Sequence, residues 1–188
     1  MLIIGVTGTQ SSGKDEVAKY LISKGFKHYS CSDELRKEAR KLKLPETREN
    51  LGIVIGDKLR TEFGKGILGK RTFEQIKKDK VKSAVVSSLR LIEEVNELKK
   101  SNNFYLIFVD APIEIRYKRA AGRMRISEKN YTFEDFKRIE NNERYGIGTL
   151  QKMQDCYDNA EFTIINNKSL TELHEEVDKI LSRIGFLL

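Results

Sequence analysis

The stretch GTQSSGKDEV, residues 8–17, decides how this chain is read. It fits G-x-x-x-x-G-K-[ST] at every position but the last, where Asp15 stands in place of a hydroxyl. A loop of this kind binds anions because successive backbone N–H groups converge on one concavity beside a helix N-terminus. Gly8 and Gly13 permit positive φ and close approach. Lys14 supplies a cation to the β- and γ-phosphates of a nucleotide. The bare pattern arises by chance, so its context is what gives it weight. LIIGVT (2–7) before it is a short apolar, β-branched run suited to a strand buried on both faces. DEVAKYLISKG (15–25) after it places Val17, Ala18, Leu21 and Ile22 on one helical face and ends in Gly25.

Asp15 has two readings at this point. A carboxylate in the first turn of a helix is favoured by the macrodipole, by ~0.3–1 kcal/mol. It can also replace the missing hydroxyl near Mg²⁺, a hard cation that keeps several waters and accepts carboxylate directly or through water.

Strands and helices alternate outward from the loop. FKHYSCS (26–32) suggests a second strand. SDELRKEARKLKL (32–44) reads as a helix capped by Ser32 or Asp33 and ending before Pro45. ETRENLGIVIGDKLRTEFG (46–64) reads as a helix carrying two internal glycines. KSAVVSSL (82–89) is a strand, RLIEEVNELKK a helix, and FYLIFVDAP (104–112) the clearest strand of all, closed by Pro112. IEIRYKRAAGRMR is a very basic helix and YTFEDFKRIENNERYGIG a polar one. EFTIIN (161–166) and SLTELHEEVDKILSRIG, with Ser169 as cap, supply a last strand and helix. This alternation predicts an α/β domain, a parallel sheet with helices on both faces. Ligands of such sheets bind outside the strands' carboxyl ends, where residues 8–15 fall.

The 188 residues suit a single domain with a full core. Charged residues make up 34 % and the net charge is +7, which attracts anions without choosing among nucleic acid, acidic membrane and phosphorylated small molecules. Cys31 and Cys156 lack CxxC spacing and read as reduced thiols. No apolar run approaches the ~18 residues that span a membrane, and MLIIGVTG lacks the basic n-region of a signal peptide. The expectation is a soluble cytoplasmic protein. His28 and His174 have no metal-ligand spacing. A nucleic-acid partner is disfavoured, because neither an RNP-like aromatic pattern nor zinc-finger spacing is present.

With these motifs in place, the chain resembles the P-loop nucleoside monophosphate kinase family, in particular its dephospho-CoA kinase-like and deoxynucleoside monophosphate kinase branches. Several of those relatives, and phosphomevalonate kinases of the animal type, also carry G-K-D in the loop. The resemblance implies a five-stranded parallel sheet forming one P-loop domain over residues 1–188, with an acceptor-binding insert at about 32–80 and a lid at about 119–147. It implies ATP and Mg²⁺ as cofactors. The nucleotide would be held by Gly8, Thr9, Gln10, Ser11, Ser12, Gly13, Lys14, Asp15 and Glu16, with Asn166 or Asn167 near the base. Asp15 would be the metal ligand.

SDELRKEA resembles the opening of the acceptor segment, which puts Asp33 and Arg36 there. ENLGIVIGDKLRTEFGKGIL is similar to the relatives' N-L-x-x-x-G-x-x-L-R-x-x-x-G and adds Arg60. VVSSLRLIEEV corresponds to a strand end that usually reads D-G-x-R. Arg90 matches the arginine, while Ser87 and Ser88 replace Asp-Gly, often a metal-organising carboxylate or acceptor-orienting base. VDAPIEIRYKRAAGR resembles the strand into the lid, with Arg119 and Arg123 four residues apart on one helical face, and Arg138 resembles the returning lid arginine. Together with Lys14 these three would act on the transferred phosphoryl group.

The resemblance implies ATP-dependent phosphotransfer to a small phosphorylated acceptor. Two acceptor classes are open, a (deoxy)nucleoside monophosphate and dephospho-CoA. The ribose hydroxyl of the second needs a base, and Ser87-Ser88 occupy its place, which favours the monophosphate. A nucleotide-binding regulator or ATPase without an acceptor is the reading from another class. Neither the composition nor the resemblance fixes the oligomeric state.

Overall fold

The structure is a computed structural model and describes residues 1–47, 50–122, 132–148 and 150–186. Its centre is β1 (Leu2–Gly8), which is buried along its whole length. β2 (Lys27–Ser30), β3 (Ser83–Ser87), β4 (Phe104–Asp110) and β5 (Phe162–Ile165) complete a five-stranded sheet in the order β2-β3-β1-β4-β5. Every pairing is parallel, as the alternation of strands and helices predicts.

Because successive strand residues face opposite sides, β1 feeds two cores. Leu2, Ile4 and Val6 pack with Val85, Ile107 and Val109 beneath α1 (Lys14–Ser23) and α9 (Leu170–Arg183), which contribute Val17, Leu21, Leu173 and Val177. Ile3 faces the other way. It joins Val86, Leu106 and Phe108 under α2 (Cys31–Lys41), α3 (Lys58–Phe63), α4 (Ile67–Asp79), α5 (Ile92–Lys99) and α8 (Met153–Asp158). α6 (Ile113–Gly122) and α7 (Phe133–Tyr145) follow β4. Among the described residues no helix is long and apolar enough to cross a membrane.

Two local expectations are corrected. The cap of α2 is Ser30, whose hydroxyl accepts from the Ser32 amide at 3.3 Å, rather than Ser32 or Asp33. The stretch read as one helix at 46–64 is a π-helix over Asn50–Asp57 running into α3. Here Gly56 matters: a Cβ on it would lie 2.9 Å from both the Leu51 carbonyl oxygen and an Arg60 nitrogen. α4 lies in a stretch to which the periodicity assigns no element. Gly69 serves packing, since a Cβ there would fall 2.2 Å from the Glu94 carbonyl oxygen on α5.

Candidate functional site

β1 ends at the carboxyl edge of the sheet, between β3 and β4, so the loop after it is flanked by Ser87 and Ser88 on one side and Asp110 on the other. Gly8 has φ 148°, and a Cβ on it would sit 2.0 Å from the Val109 carbonyl oxygen. Gly13 has φ 101°, with its would-be Cβ 2.2 Å from Asn166 Nδ2. Ser11 is left-handed at φ 59° despite its side chain. α1 starts at Lys14 directly after Gly13, with Asp15 and Glu16 in its first turn. The residue spacing and the backbone geometry therefore agree that residues 8–14 form a cradle whose glycines have no room for side chains.

The loop is tied to the strands around it. Thr9 Oγ1 donates to Asp110 Oδ1 at 2.6 Å, and Lys14 Nζ lies 3.3 Å from the Thr9 carbonyl oxygen. The Ser12 carbonyl oxygen accepts from Asn166 Nδ2 at 2.7 Å and from Arg119 at 3.4 Å. Ser12 itself is fully buried, and its hydroxyl has no hydrogen-bond partner among the described residues.

Of the residues expected at the site, the loop residues, Lys14 and Arg119 are brought together. Asn167 is exposed, and its neighbour Asn166 makes the loop contact instead. Asp15 is exposed at the start of α1. Arg90 reaches Gln151 at 2.9 Å and Glu143 at 3.7 Å. Arg36 is held by Asp33 at 2.9 Å and Glu46 at 3.4 Å, all part-exposed. Arg123 lies outside the described residues.

Two further arginines expected at the site pair with carboxylates in this structure. Arg60 is 3 % exposed, and its Nε and one terminal nitrogen donate to Glu94 Oε1 at 3.2 and 2.8 Å. Glu94 is wholly buried and also accepts the Arg90 amide on its other oxygen at 2.9 Å. Arg60 thus joins α3 to α5 through Glu94, and its other terminal nitrogen lies 3.6 Å from Asp57 without a hydrogen bond among the described residues. Arg138 is largely exposed and pairs within α7 to Asp135 at 2.8 Å.

The charges that do surround Asp110 come from residues that the motifs did not single out. Arg116 Nε donates to the Ala111 carbonyl oxygen at 2.6 Å and lies 3.4 Å from Asp110, and Arg144 lies 3.8 Å from the other Asp110 oxygen. Arg116 also forms two hydrogen bonds to Glu140. A signal for this pair exists in the sequence: Arg116 stands four residues before Ala120, and Glu140 four after Phe136, so each is a charge on a buried stripe.

Residues 4–145 match the family model described as an AAA domain. A UPF0200 protein of Sulfurisphaera tokodaii is 31 % identical over 97 % of both chains. Another, from Thermococcus kodakarensis, is 31 % identical over 97 % of this chain and 98 % of its own. The chain belongs to the UPF0200 family and carries an AAA domain. Among solved structures, TT1252 from Thermus thermophilus matches with a TM-score of 0.62 at 20 % identity over 97 % of each chain. Shikimate kinase from Bacteroides thetaiotaomicron matches with 0.59 at 11 % over 98 % of each. A gluconokinase from Sinorhizobium meliloti matches with 0.55 at 14 % over 97 % of this chain and 92 % of that one. These likenesses establish a P-loop, kinase-like fold for this UPF0200 protein.

The residues fit a nucleotide polyphosphate. The glycine cradle, the Lys14 ammonium and the orphaned Ser12 hydroxyl all suit phosphate oxygens. For Mg²⁺ the fit is partial but adequate. No group of three or more His, Cys, Asp or Glu side chains able to hold a metal occurs among the described residues. This ion is usually held by one or two carboxylates, waters and the substrate's own phosphates. Asp15 is the carboxylate nearest to the loop in sequence and is open to solvent. Asp110 is already committed to Thr9, the Ala111 amide and flanking guanidiniums.

Proposed function

We propose that this protein transfers the γ-phosphoryl group of ATP to a small phosphorylated acceptor, a (deoxy)nucleoside monophosphate. The observation that carries this reading is the glycine-walled cradle of residues 8–14 at the carboxyl edge of the sheet, with Lys14 and Arg119 on it. Phosphoryl transfer asks for in-line positioning and positive charge rather than covalent chemistry. In this reading the loop amides and Lys14 hold the ATP phosphates. Arg119, which reaches the Ser12 carbonyl oxygen of the loop, meets charge on the transferred group, a role the reading also assigns to Arg123. Mg²⁺, when bound beside Asp15, supplies charge neutralisation at the β- and γ-oxygens.

For an acceptor phosphate the reading assigns Arg90, which reaches Gln151 and Glu143, and Arg36, which Asp33 and Glu46 hold. The strand end that would carry a base for an alcohol acceptor holds Ser87 and Ser88. Their hydroxyls meet His28 at 2.8 Å and Ser30 at 3.0 Å. An acceptor that is already a phosphate monoester anion needs little help from a base, which is why the monophosphate is preferred to dephospho-CoA. Cys31 and Cys156 are buried and free, in keeping with a reaction in the cytoplasm.

The test is a transfer screen: ATP and Mg²⁺ with a panel of nucleoside monophosphates, dephospho-CoA and phosphomevalonate, following ADP and the phosphorylated product. ADP formation that depends on one monophosphate is the expected result. Steady hydrolysis that no acceptor changes would overturn the transferase reading and leave an ATPase.

A further inference from the structure

We propose that Asn166 is a positioning residue of the phosphate-binding loop, fixing the peptide between Ser12 and Gly13 so that the Gly13 amide is presented to the bound phosphate. This rests on the nucleotide-binding reading above and departs from the family resemblance, which puts this asparagine pair near the base.

The argument starts from the peptide plane. In a trans peptide the C=O and the N–H point in opposite directions, so a hydrogen bond that holds one aims the other. The Ser12 carbonyl oxygen accepts from Asn166 Nδ2 at 2.7 Å and, more loosely, from Arg119 at 3.4 Å. Both donors lie on the side of the peptide away from the Gly13 N–H. The loop could otherwise turn this peptide over, since Gly13 is at φ 101° and glycine crosses φ space at little cost.

Asn166 is itself firmly placed. It is 8 % exposed, and its own amide donates to the Asp110 carbonyl oxygen at 2.7 Å, at the end of β4. One residue therefore joins the ends of β4 and β5 to the loop after β1, through its backbone amide and its side chain. The contact also gives the motif glycine a second reason to be glycine. A Cβ at position 13 would lie 2.2 Å from Asn166 Nδ2, so the residue is bare on the Asn166 side as well as left-handed.

The test measures binding rather than turnover, using ADP and inorganic pyrophosphate as probes in calorimetric titrations of the full chain. Pyrophosphate has no base and reports on the loop alone. Losing the donor that holds the loop should weaken both probes by a similar factor, on the order of tenfold, in Asn166→Ala. The isosteric Asn166→Asp, which sets a carboxylate against the Ser12 carbonyl, should weaken them at least as much while keeping the shape of the site.

The binding stoichiometry separates positioning from a general loss of fold, because an unfolded fraction lowers the number of sites without changing their affinity. Unchanged pyrophosphate affinity in both variants would overturn the proposal, and weakening of ADP alone would make Asn166 a base contact instead. A wild-type protein that binds neither probe would overturn the nucleotide-binding reading itself, and this inference with it.

Discussion

Arg116 and Glu140 meet fork to fork. The two terminal nitrogens of the guanidinium donate to the two carboxylate oxygens, and both side chains are buried between α6 and α7. The same guanidinium reaches back to the Ala111 carbonyl oxygen and lies 3.4 Å from Asp110. It thereby anchors α7 to the end of β4, the strand end whose Asp110 holds Thr9 of the phosphate-binding loop.

Removing one half of this pair should be costly. Glu140→Ala leaves a buried guanidinium without its carboxylate, and breaking a buried pair in this way costs about 3–5 kcal/mol. Replacing both at once, Arg116→Met with Glu140→Leu, should cost much less, since neither charge is then stranded. Urea denaturation of the three proteins checks this. Equal losses in the single and double variants would show that the pair adds nothing beyond its packing.

Lys14→Ala tests the loop directly. The ammonium lies 3.3 Å from the Thr9 carbonyl oxygen and sits part-buried at the head of α1. Its loss should leave the melting temperature within a few degrees of wild type. ATP affinity or turnover should fall by at least about tenfold, the loss of one charge-assisted contact. Normal ATP binding by the folded variant would remove the basis for a nucleotide site here.

Gly13 and Asn166 should be energetically coupled. Gly13→Ala suffers twice, from a left-handed φ and from the Cβ placed 2.2 Å from Asn166 Nδ2. Only the second penalty can be relieved by trimming the asparagine. The double variant Gly13→Ala with Asn166→Ala should therefore be more stable than the sum of the single losses allows, with a coupling of about 0.5–3 kcal/mol. Additive losses in thermal or urea unfolding would show that the asparagine simply moves aside.

How far the sequence carries can be argued from these same residues. Periodicity and the glycine-lysine pattern suffice for the sheet, the loop and the helix after it, because each is a local consequence of apolar spacing and backbone freedom. Side-chain partners are another matter. Arg60, Arg138 and Arg116 are alike as letters in charged helices, yet Arg60 and Arg116 meet carboxylates 34 and 24 residues away while Arg138 pairs within its own helix. Such pairings depend on tertiary packing. Gly69 within α4 is illegible for the same reason, since it answers to a neighbour on α5 that lies far along the chain.

Acid should loosen the join between β2 and α4. Asp79, the last residue of α4, accepts from Lys27 at 2.7 Å, from the Tyr29 hydroxyl at 2.7 Å and from Gln75 at 2.7 Å. The Lys27 ammonium above all, with the Tyr29 hydroxyl, draws its carboxyl down from the ordinary value of 3.8 to about 2. The group binds a proton more readily in the unfolded chain, so its contribution is fully present above about pH 5 and is lost as the pH falls through about 2. Asp79→Asn should melt below wild type at neutral pH, and the gap should close as the pH is lowered from about 4 to about 2. A gap that stays constant over that range would assign the loss to packing alone.

Asp15 offers the sharpest test of the metal. It occupies the first turn of α1, directly after Lys14, and it is exposed. The helix macrodipole welcomes a carboxylate there, but in a nucleotide complex that carboxylate stands beside a polyphosphate of the same sign. Two like charges so placed repel unless a cation lies between them. Asp15→Asn keeps the shape and removes the charge. ADP without metal should therefore bind the variant as tightly as wild type or more tightly, because a repulsion has gone. The gain in affinity that Mg²⁺ gives should shrink, by roughly the tenfold that one pKa-unit-sized interaction of about 1.4 kcal/mol represents. Calorimetric titration of ADP into both proteins, with Mg²⁺ and with a chelator, measures the two effects separately and needs no acceptor. If Mg²⁺ strengthens ADP binding equally in both proteins, Asp15 is a helix-terminus residue only. The metal would then have to displace Thr9 or the flanking arginines from Asp110 to find a carboxylate there.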